Sequence, residues 1–174
     1  IPYISNIKKN ILIVGQKSTE YNGNGDAWIA LLKKNGDKKW DNSYGGRGAD
    51  GGNYSIVTSD GGYISVGYTN AYGNGKNDVW IIKTDFTGEK EWSRVYGGKL
   101  DDYGWGVTES NDGGYVVAGE TFSFGSGQSD VYLLKIDSTG NMIWNTTFGG
   151  LAEDVAYEVV NSDDGGFVVA WESF

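Results

Sequence analysis

The chain has 174 residues, a length typical of one domain, and its 39% hydrophobic residues are enough to form a core. Its 14 Lys and Arg residues against 23 Asp and Glu residues give a formal charge of −9, which excludes the positive surface that nucleic acids and anionic membranes attract. It contains no Cys and no His, so disulfides, thiolate metal sites, Cys nucleophiles and His general bases are excluded.

The predicted elements are short β-strands separated by glycine-rich turns. The first segment, YISNIKKNILIVG, indicates a strand pair whose turn carries Lys8, Lys9 and Asn10. The apolar runs WIALL, VWII and VYLL follow along the chain. They are too short for helices, and their unbroken apolar character is typical of strands covered on both faces. The sequence therefore predicts strands throughout and no helix.

One phrase recurs at a constant interval along the chain. DGGYISVGYT begins at Asp60, DGGYVVAGET at Asp112 and DGGFVVAWES at Asp164, so both intervals (112−60 and 164−112) are 52 residues. Other positions keep this interval, namely Asp26, Asp78 and Asp130, then Gly36, Gly88 and Gly140, then Trp40, Trp92 and Trp144. The predicted repeats are residues 1–52, 53–104 and 105–156, with a partial repeat at 157–174.

Each repeat predicts four antiparallel strands. In the second repeat these are GNYSIVTS, YISVGYT, DVWIIKT and EKEWSRVY, joined by a DGG turn, the polar loop NAYGNGKN and a DFTG turn. Asp-Gly-Gly between β-branched and aromatic runs is typical of a hairpin, because glycine accepts a positive φ. A helix-free unit of about 50 residues with four strands is typical of a β-propeller blade. We expect one partial all-β propeller domain over residues 1–174, with three blades and an extra inner strand pair, completed by more chain or by further copies.

Trp40, Trp92 and Trp144 occur once in each repeat, at corresponding positions. Seven Trp residues in an acidic chain are also compatible with a sugar-binding platform. Because these three recur in register, we expect them to pack between neighbouring blades. The Gly pair that follows each of them lets the chain cross to the next blade.

The stretch TNAYGNGKNDVWIIKTDFTGEKEWSRVYGGKLDDYGWGVTESNDGGYVVAGET resembles the β-propeller repeats of secreted and cell-surface proteins of archaea and bacteria. The resemblance extends over nearly the whole chain. It implies an extracellular or cell-surface location and a role in adhesion, surface layers or scaffolding. The sequons at Asn53 and Asn145 are compatible with export.

Two enzyme families share fragments of this pattern. KTDFTGEKEW and KIDSTGNMIW are similar to the tryptophan docking motif of quinoprotein enzymes, each one residue shorter, and that motif locks blades together rather than binding a cofactor. TSDGG at 58–62 begins like the Asp-box turn of sialidases but lacks its Ser/Thr-Trp ending. The chain also has only Arg47 and Arg94 where sialidase chemistry requires three arginines. No catalytic residue is predicted, and enzyme activity ranks below binding.

Adjacent acids occur at three places, Asp101-Asp102, Glu153-Asp154 and Asp163-Asp164. Neighbouring strand residues point to opposite faces, so adjacency does not make the acid–base pair of a glycosidase. Asp102 and Asp154 recur with Asp50 in the connection between repeats. We expect these three to cap turns by accepting backbone hydrogen bonds.

The loops GNGKND (73–78) and GSGQSD (125–130) resemble oxygen-rich ion-binding loops. One hypothesis is a structural calcium ion held through Asp26, Asp78 and Asp130. The other is that glycine supplies positive φ while each Asp caps the start of the third strand. No other cofactor is predicted.

The leading functional hypothesis is a non-catalytic extracellular module that binds other proteins or further copies of itself. The alternative is a lectin-like module with equivalent sugar pockets between blades, in which Tyr21, Tyr72 and Phe124 are the stacking platforms. Enzymes built on repeats usually break the repeat where the chemistry occurs. The departures here are Lys8-Lys9-Asn10 at the first turn, Trp105, and Trp171, which stands in place of Gly67 and Gly119.

Overall fold

The structure is a computed structural model that describes residues 3–7, 10–18 and 24–174, with side chains from residue 10 onwards in these ranges. The described chain is all-β, with fourteen strands and no helix, which confirms the prediction of strands throughout. No helix in this part of the chain is therefore long and apolar enough to cross a membrane. The strands form three four-stranded sheets and one two-stranded sheet, all antiparallel, and the described strands close no barrel. Lys8 and Lys9 of the first predicted turn lie outside the described residues.

In each sheet the strands follow one another in chain order. Sheet 1 consists of β1 (Tyr3–Ile7), β2 (Asn10–Ser18), β3 (Gly25–Lys33) and β4 (Lys38–Tyr44). Sheet 2 consists of β5 (Asp50–Val57), β6 (Tyr63–Thr69), β7 (Asp78–Thr84) and β8 (Lys90–Tyr96). Sheet 3 consists of β9 (Asp102–Glu109), β10 (Tyr115–Thr121), β11 (Asp130–Ile136) and β12 (Met142–Phe148). Sheet 4 consists of β13 (Asp154–Asn161) and β14 (Phe167–Ser173). Sheets 2, 3 and 4 thus begin three residues (53−50) before the repeat boundaries drawn from the sequence.

The DGG turns join the first and second strands of a sheet as hairpins. Gly61 has a φ of 86°, a conformation that glycine adopts without strain. Asp60 Oδ1 accepts hydrogen bonds from Thr58 Oγ1 and from the backbone N–H of Gly62, which closes the turn. The same two contacts recur one repeat later. The prediction of hairpins at these turns is confirmed.

The sheets pack face to face in chain order, and the core lies between them. In β7, Val79 and Ile81 pack with residues of sheet 3. The alternate residues Trp80 and Ile82 pack with Ala27 of sheet 1. Because both faces of β7 are covered, its residues are apolar without alternation, as expected for strands buried on two sides.

The first strands of sheets 2, 3 and 4 each contain a β-bulge. In β5 the pairing with β6 steps from Gly52 to Tyr54, so Asn53 is the extra residue. Trp105 and Tyr157 are the extra residues at the corresponding points of β9 and β13. A bulge leaves the extra residue outside the hydrogen-bond ladder and redirects its side chain. We call Asn53, Trp105 and Tyr157 the bulge row.

Candidate functional site

A cleft of about 710 Å³ lies beside the start of β5 and one end of the bulge row. Three aromatic residues, two amides and backbone glycines line it. They include Gln16, Trp28, Gly52, Asn53, Tyr68 and Trp105. No charged side chain of the described residues lines this space. We call it the inner cleft, and its volume falls within the range of roughly 300–1,000 Å³ that is usual for small-molecule sites.

The side chains of the bulge row lie along three adjacent strands. The Asn53 Nδ2 amide donates a hydrogen bond of 2.9 Å to the carbonyl of Gly104, next to the bulge of β9. The Trp105 ring lies 6.5 Å, centroid to centroid, from the ring of Tyr157. Tyr157 is 45% exposed, so the row ends at the surface.

An aromatic band continues from the bulge row into the inner cleft. The ring of Tyr103 lies 5.8 Å from that of Trp105, with an interplanar angle of 28°. On its other side the Tyr103 ring meets the edge of Tyr68 at 5.5 Å. Asn77 Nδ2 donates to the Tyr103 hydroxyl at 2.9 Å, and burial raises the pKa of this tyrosine above its ordinary value. The band therefore consists of four neighbouring rings, with Tyr68 and Trp105 facing the cleft.

Some polar groups of the inner cleft already form hydrogen bonds with other residues of the fold. Gln16 Nε2 donates to the carbonyl of Asp50 at 3.2 Å, and Trp28 Nε1 donates to Asp41 Oδ2 at 3.0 Å. The amide nitrogen of Asn53 is also engaged. Among the described residues no donor contacts the amide oxygens of Gln16 and Asn53. The cleft thus offers ring faces and hydrogen-bond acceptors but no side-chain charge.

The two described members of the predicted sugar platforms, Tyr72 and Phe124, lie in the loops that precede the third strands. The Tyr72 ring packs 5.7 Å from Trp80, and its hydroxyl donates to the carbonyl of Gly45 at 2.8 Å. The Phe124 ring packs 5.6 Å from Tyr132. Both rings are nearly half-exposed, so a sugar platform at these positions stays a prediction. Tyr21 lies outside the described residues.

Each aspartate of the calcium hypothesis lies close to a second aspartate, and no sequence pattern had indicated these pairs. Asp78 and Asp102 flank Gly97: a Cβ built there would lie 2.0 Å from an oxygen of Asp78 and 2.6 Å from one of Asp102. Burial and the charge of Asp102 raise the pKa of Asp78. Corresponding pairs are Asp26 with Asp50 and Asp130 with Asp154. Within the described residues no group of three or more acidic side chains is arranged to hold a metal ion, so each pair offers two carboxylates.

The second member of each pair caps the connection between sheets. The backbone N–H of Gly46 donates to Asp50 Oδ2 at 2.8 Å, and Thr69 Oγ1 donates to the other oxygen of this carboxylate. Asp102 and Asp154 accept the corresponding backbone bonds one and two repeats later. The predicted turn-capping role of these three aspartates is confirmed.

Trp40 of sheet 1 lies under a turn of sheet 2. The ring packs 5.5 Å from the ring of Tyr63, and a Cβ built on Gly88 would lie 2.9 Å from Trp40 Cε3. The Tyr44 hydroxyl donates to the carbonyl of the same Gly88. Only glycine fits here, because the residue has a φ of 86° and the indole lies directly against it. We call this Thr-Gly turn of the following sheet the docking turn.

The junction between sheets 2 and 3 repeats this arrangement. The Trp92 ring lies 6.2 Å from Tyr115, and a Cβ built on Gly140 would lie 2.9 Å from Trp92 Cζ3. The Tyr96 hydroxyl donates to the carbonyl of Gly140. Arg94 adds a third contact, since its guanidinium lies 5.7 Å from the Trp92 ring and donates to the carbonyl of Thr139 at 3.0 Å.

Trp144 and Phe148 occupy the same positions in sheet 3, but no docking turn covers them within the described residues. Trp144 is 40% exposed and Phe148 54%. Beside them is an apolar groove of about 370 Å³, lined by Val131, Leu133, Phe148, Phe167, Val169 and Trp171. We call these residues together with Trp144 the open face. The repeat departure at Trp171 therefore lies on the open face, and that at Trp105 lies in the inner cleft.

Two buried lysines were not predicted from the sequence. Lys83 Nζ lies 2.8 Å from Asp60 Oδ2 and 2.9 Å from Glu91 Oε2. Burial alone would lower the pKa of Lys83, but its carboxylate partners raise it. Burial would likewise raise the pKa of Asp60, yet hydrogen bonds from Lys83 and Thr58 lower it to about 2. Both partners are therefore ionised at neutral pH, and the amine does not act as a nucleophile there.

A comparison of the repeats position by position would reveal these lysine–aspartate pairs in the sequence. Lys135 repeats the contact with Asp112 at 2.8 Å. In the first repeat the two corresponding positions, 8 (60−52) and 31 (83−52), are Lys8 and Leu31. The acid and its lysine are thus absent together, as expected if one exists to pair with the other.

The comparisons with known proteins bear on the fold alone. A scan against protein-family models and a search of curated proteins found no match. The structure is similar to the crystal structure of a protein of unknown function from Bacteroides caccae, with a TM-score of 0.54 and 12% sequence identity. The match covers 93% of this chain and 49% of that protein, so the chain spans about half of its length.

Proposed function

We propose that this chain is part of a β-propeller that acts as a non-catalytic module of surface architecture or adhesion, through contacts with other proteins. The observation that carries the proposal is the open face of sheet 3. There Trp144 and Phe148 repeat the residues that dock one sheet onto the next, yet both remain exposed.

The two covered junctions indicate what the open face binds. At each of them an indole and its neighbouring tyrosine receive a Thr-Gly docking turn from the following sheet. An apolar surface of this kind in a soluble protein usually marks an interaction site. The partner we propose is sheet 1 of a second copy of the chain. Its turn at Gly36 corresponds to the docking turns of Gly88 and Gly140, and a Cβ built on Gly36 meets nothing within 4 Å. In the dimer this turn lies over Trp144.

The propeller and its location belong to the same proposal. Four-stranded antiparallel sheets that pack face to face at a 52-residue interval (112−60) support it, because propellers are built from about four to eight such units. The cell-surface or extracellular location rests on the resemblance of the repeats to those of secreted proteins. Its test is release of the protein from intact cells by an added protease.

Sedimentation velocity of the purified 174-residue chain tests the docking proposal. We expect self-association that grows with concentration between micromolar and millimolar, and that the double substitution Trp144→Ser with Phe148→Ser abolishes. Leu100→Ser is the matched control, since Leu100 is 47% exposed in the connection between sheets 2 and 3, outside the docking turns and the open face, and its loss should change nothing. A compact monomer at every concentration, resistant to limited proteolysis, would overturn the proposal.

A further inference from the structure

We infer that the bulge row and the inner cleft bind an uncharged oligosaccharide. This inference is independent of the proposed docking at the open face, because the two surfaces lie on different strands. It also places the sugar at residues other than Tyr72 and Phe124.

The bulge row differs in chemistry from one repeat to the next. Its members are an amide and two aromatic residues, Asn53, Trp105 and Tyr157, at one position of three consecutive repeats. The preceding position is restricted to small residues, and at Gly52 the reason is contact: a Cβ there would lie 2.4 Å from Val14. A bulge redirects its extra side chain and is common next to binding sites, so each of these side chains is placed to meet a ligand.

The aromatic band is a row of contacting rings, in which Tyr103 and Trp105 are stacked and the pairs at either end meet edge-on or tilted. Its consecutive ring centroids lie 5.5, 5.8 and 6.5 Å apart, from Tyr68 through Tyr103 and Trp105 to Tyr157. The exposed edge of the row and the cleft of about 710 Å³ give a ligand access from both ends. Indole and phenol rings offer broad apolar faces with little loss of conformational entropy, which suits the C–H faces of pyranose rings.

The polar groups select an uncharged ligand rich in hydroxyl donors. The amide oxygens of Gln16 and Asn53 can each accept a hydrogen bond. No Lys or Arg of the described residues lines the cleft, so a phosphate, sulfate or carboxylate would have no counter-ion. The carboxylate beside Trp28, that of Asp41, already has partners, because Trp28 Nε1 donates to it at 3.0 Å and Lys38 lies 2.6 Å from it.

The test is titration of the wild-type chain with neutral hexasaccharides of glucose, xylose, mannose and N-acetylglucosamine, followed by calorimetry and by tryptophan fluorescence. We expect at least one of them to bind. Trp105→Ala should weaken that binding about tenfold, as loss of one stacked ring implies. Phe86→Ala is the matched control, since this ring is 69% exposed in the turn between β7 and β8, outside the band and the cleft, and its removal should leave the affinity unchanged.

Tyr157→Ala and Trp105→Phe are the second pair of variants. Tyr157 is the most exposed member of the band, so its truncation should reduce the affinity without unfolding the chain. Trp105→Phe keeps a ring and should retain most of the binding. No binding by any of the four hexasaccharides would overturn the inference. So would an equal loss in Trp105→Ala and Phe86→Ala, or a loss in Tyr72→Ala with none in Tyr157→Ala.

Discussion

The junction between sheets 2 and 3 and the open face of sheet 3 carry corresponding residues in different surroundings. At the junction Trp92 lies under the turn of Gly140 and Tyr96 donates to its carbonyl. On the open face Trp144 and Phe148 have no such cover among the described residues and are 40% and 54% exposed. The repeated tryptophan therefore packs fully only where a docking turn of the next sheet lies against it. Its burial depends on the turn that the next sheet supplies.

The largest predicted effect separates the two tryptophans directly. Trp92→Ala should lower the free energy of unfolding by about 3 kcal/mol, because it leaves a cavity between packed sheets. Trp144→Ala should cost less than about 1 kcal/mol, because this side chain is 40% exposed and no docking turn of the described residues lies over it. Urea denaturation of the two variants beside the wild type measures both values. Equal losses would show that the exposed and covered positions do not differ.

The docking turn itself gives the second prediction. Gly88→Ala should destabilise the chain by about 3 kcal/mol, from positive-φ strain together with a clash on the Trp40 ring. Gly36→Ala is the matched control: its φ is 89°, but a Cβ there meets nothing within 4 Å, so only the strain of about 1 kcal/mol remains. Chemical denaturation of both variants should therefore give unequal losses. Equal losses in the free energy of unfolding would show that the contact between the docking turn and the indole does not stabilise the fold.

A third prediction concerns the salt bridge at the hairpin turn of sheets 2 and 3, whose corresponding positions in the first repeat are Lys8 and Leu31. Asp60→Asn should cost at most about 1 kcal/mol at pH 7, because the carboxylate is 56% exposed and solvent screens it. The pKa of Asp60 is lowered to about 2, so the stability from its charge is complete above about pH 4 and is lost as the pH falls toward 2. Thermal unfolding at several pH values should show the gap between wild type and variant closing over that range. A gap that stays constant down to pH 2 would contradict the pairing with Lys83.

The smallest expected effect has the opposite sign. Burial and the facing carboxylate of Asp102 raise the pKa of Asp78, so its charge destabilises the fold at neutral pH. In the presence of a chelator, Asp78→Asn should raise the free energy of unfolding by about 0.5 kcal/mol. The calcium hypothesis predicts the reverse in calcium-containing buffer, where the wild type should melt at a higher temperature than the variant. Identical melting of the wild type with chelator and with calcium would dismiss the ion.

The all-β class and the strands could be predicted because each depends on local sequence. The hairpin at Asp60 needs only its glycines, and the unbroken run of β7 follows from burial on both faces. Contacts between sheets could not be predicted in the same way. Asp78 meets Asp102 across a junction, and Trp105 projects only because β9 contains a bulge, which no turn residue signals. The pairing of Lys83 with Asp60 could not be predicted from residues that recur in every repeat. It shows only in the fact that both positions differ in the first repeat.

A double-mutant cycle on Trp40 and Gly88 is the most direct test of whether the docking turn of the next sheet stabilises the fold through its contact with the tryptophan ring. We expect Gly88→Ala to cost less in a Trp40→Ala background, because the clash with the indole is gone, while the contact of the new Cβ with Asn42 Nδ2 at 2.7 Å and the positive-φ strain remain. The expected coupling energy is above about 1 kcal/mol. If the loss of stability in the double variant equals the sum of the two single losses to within about 0.5 kcal/mol, the two residues do not interact, and the docking turn does not act through the tryptophan.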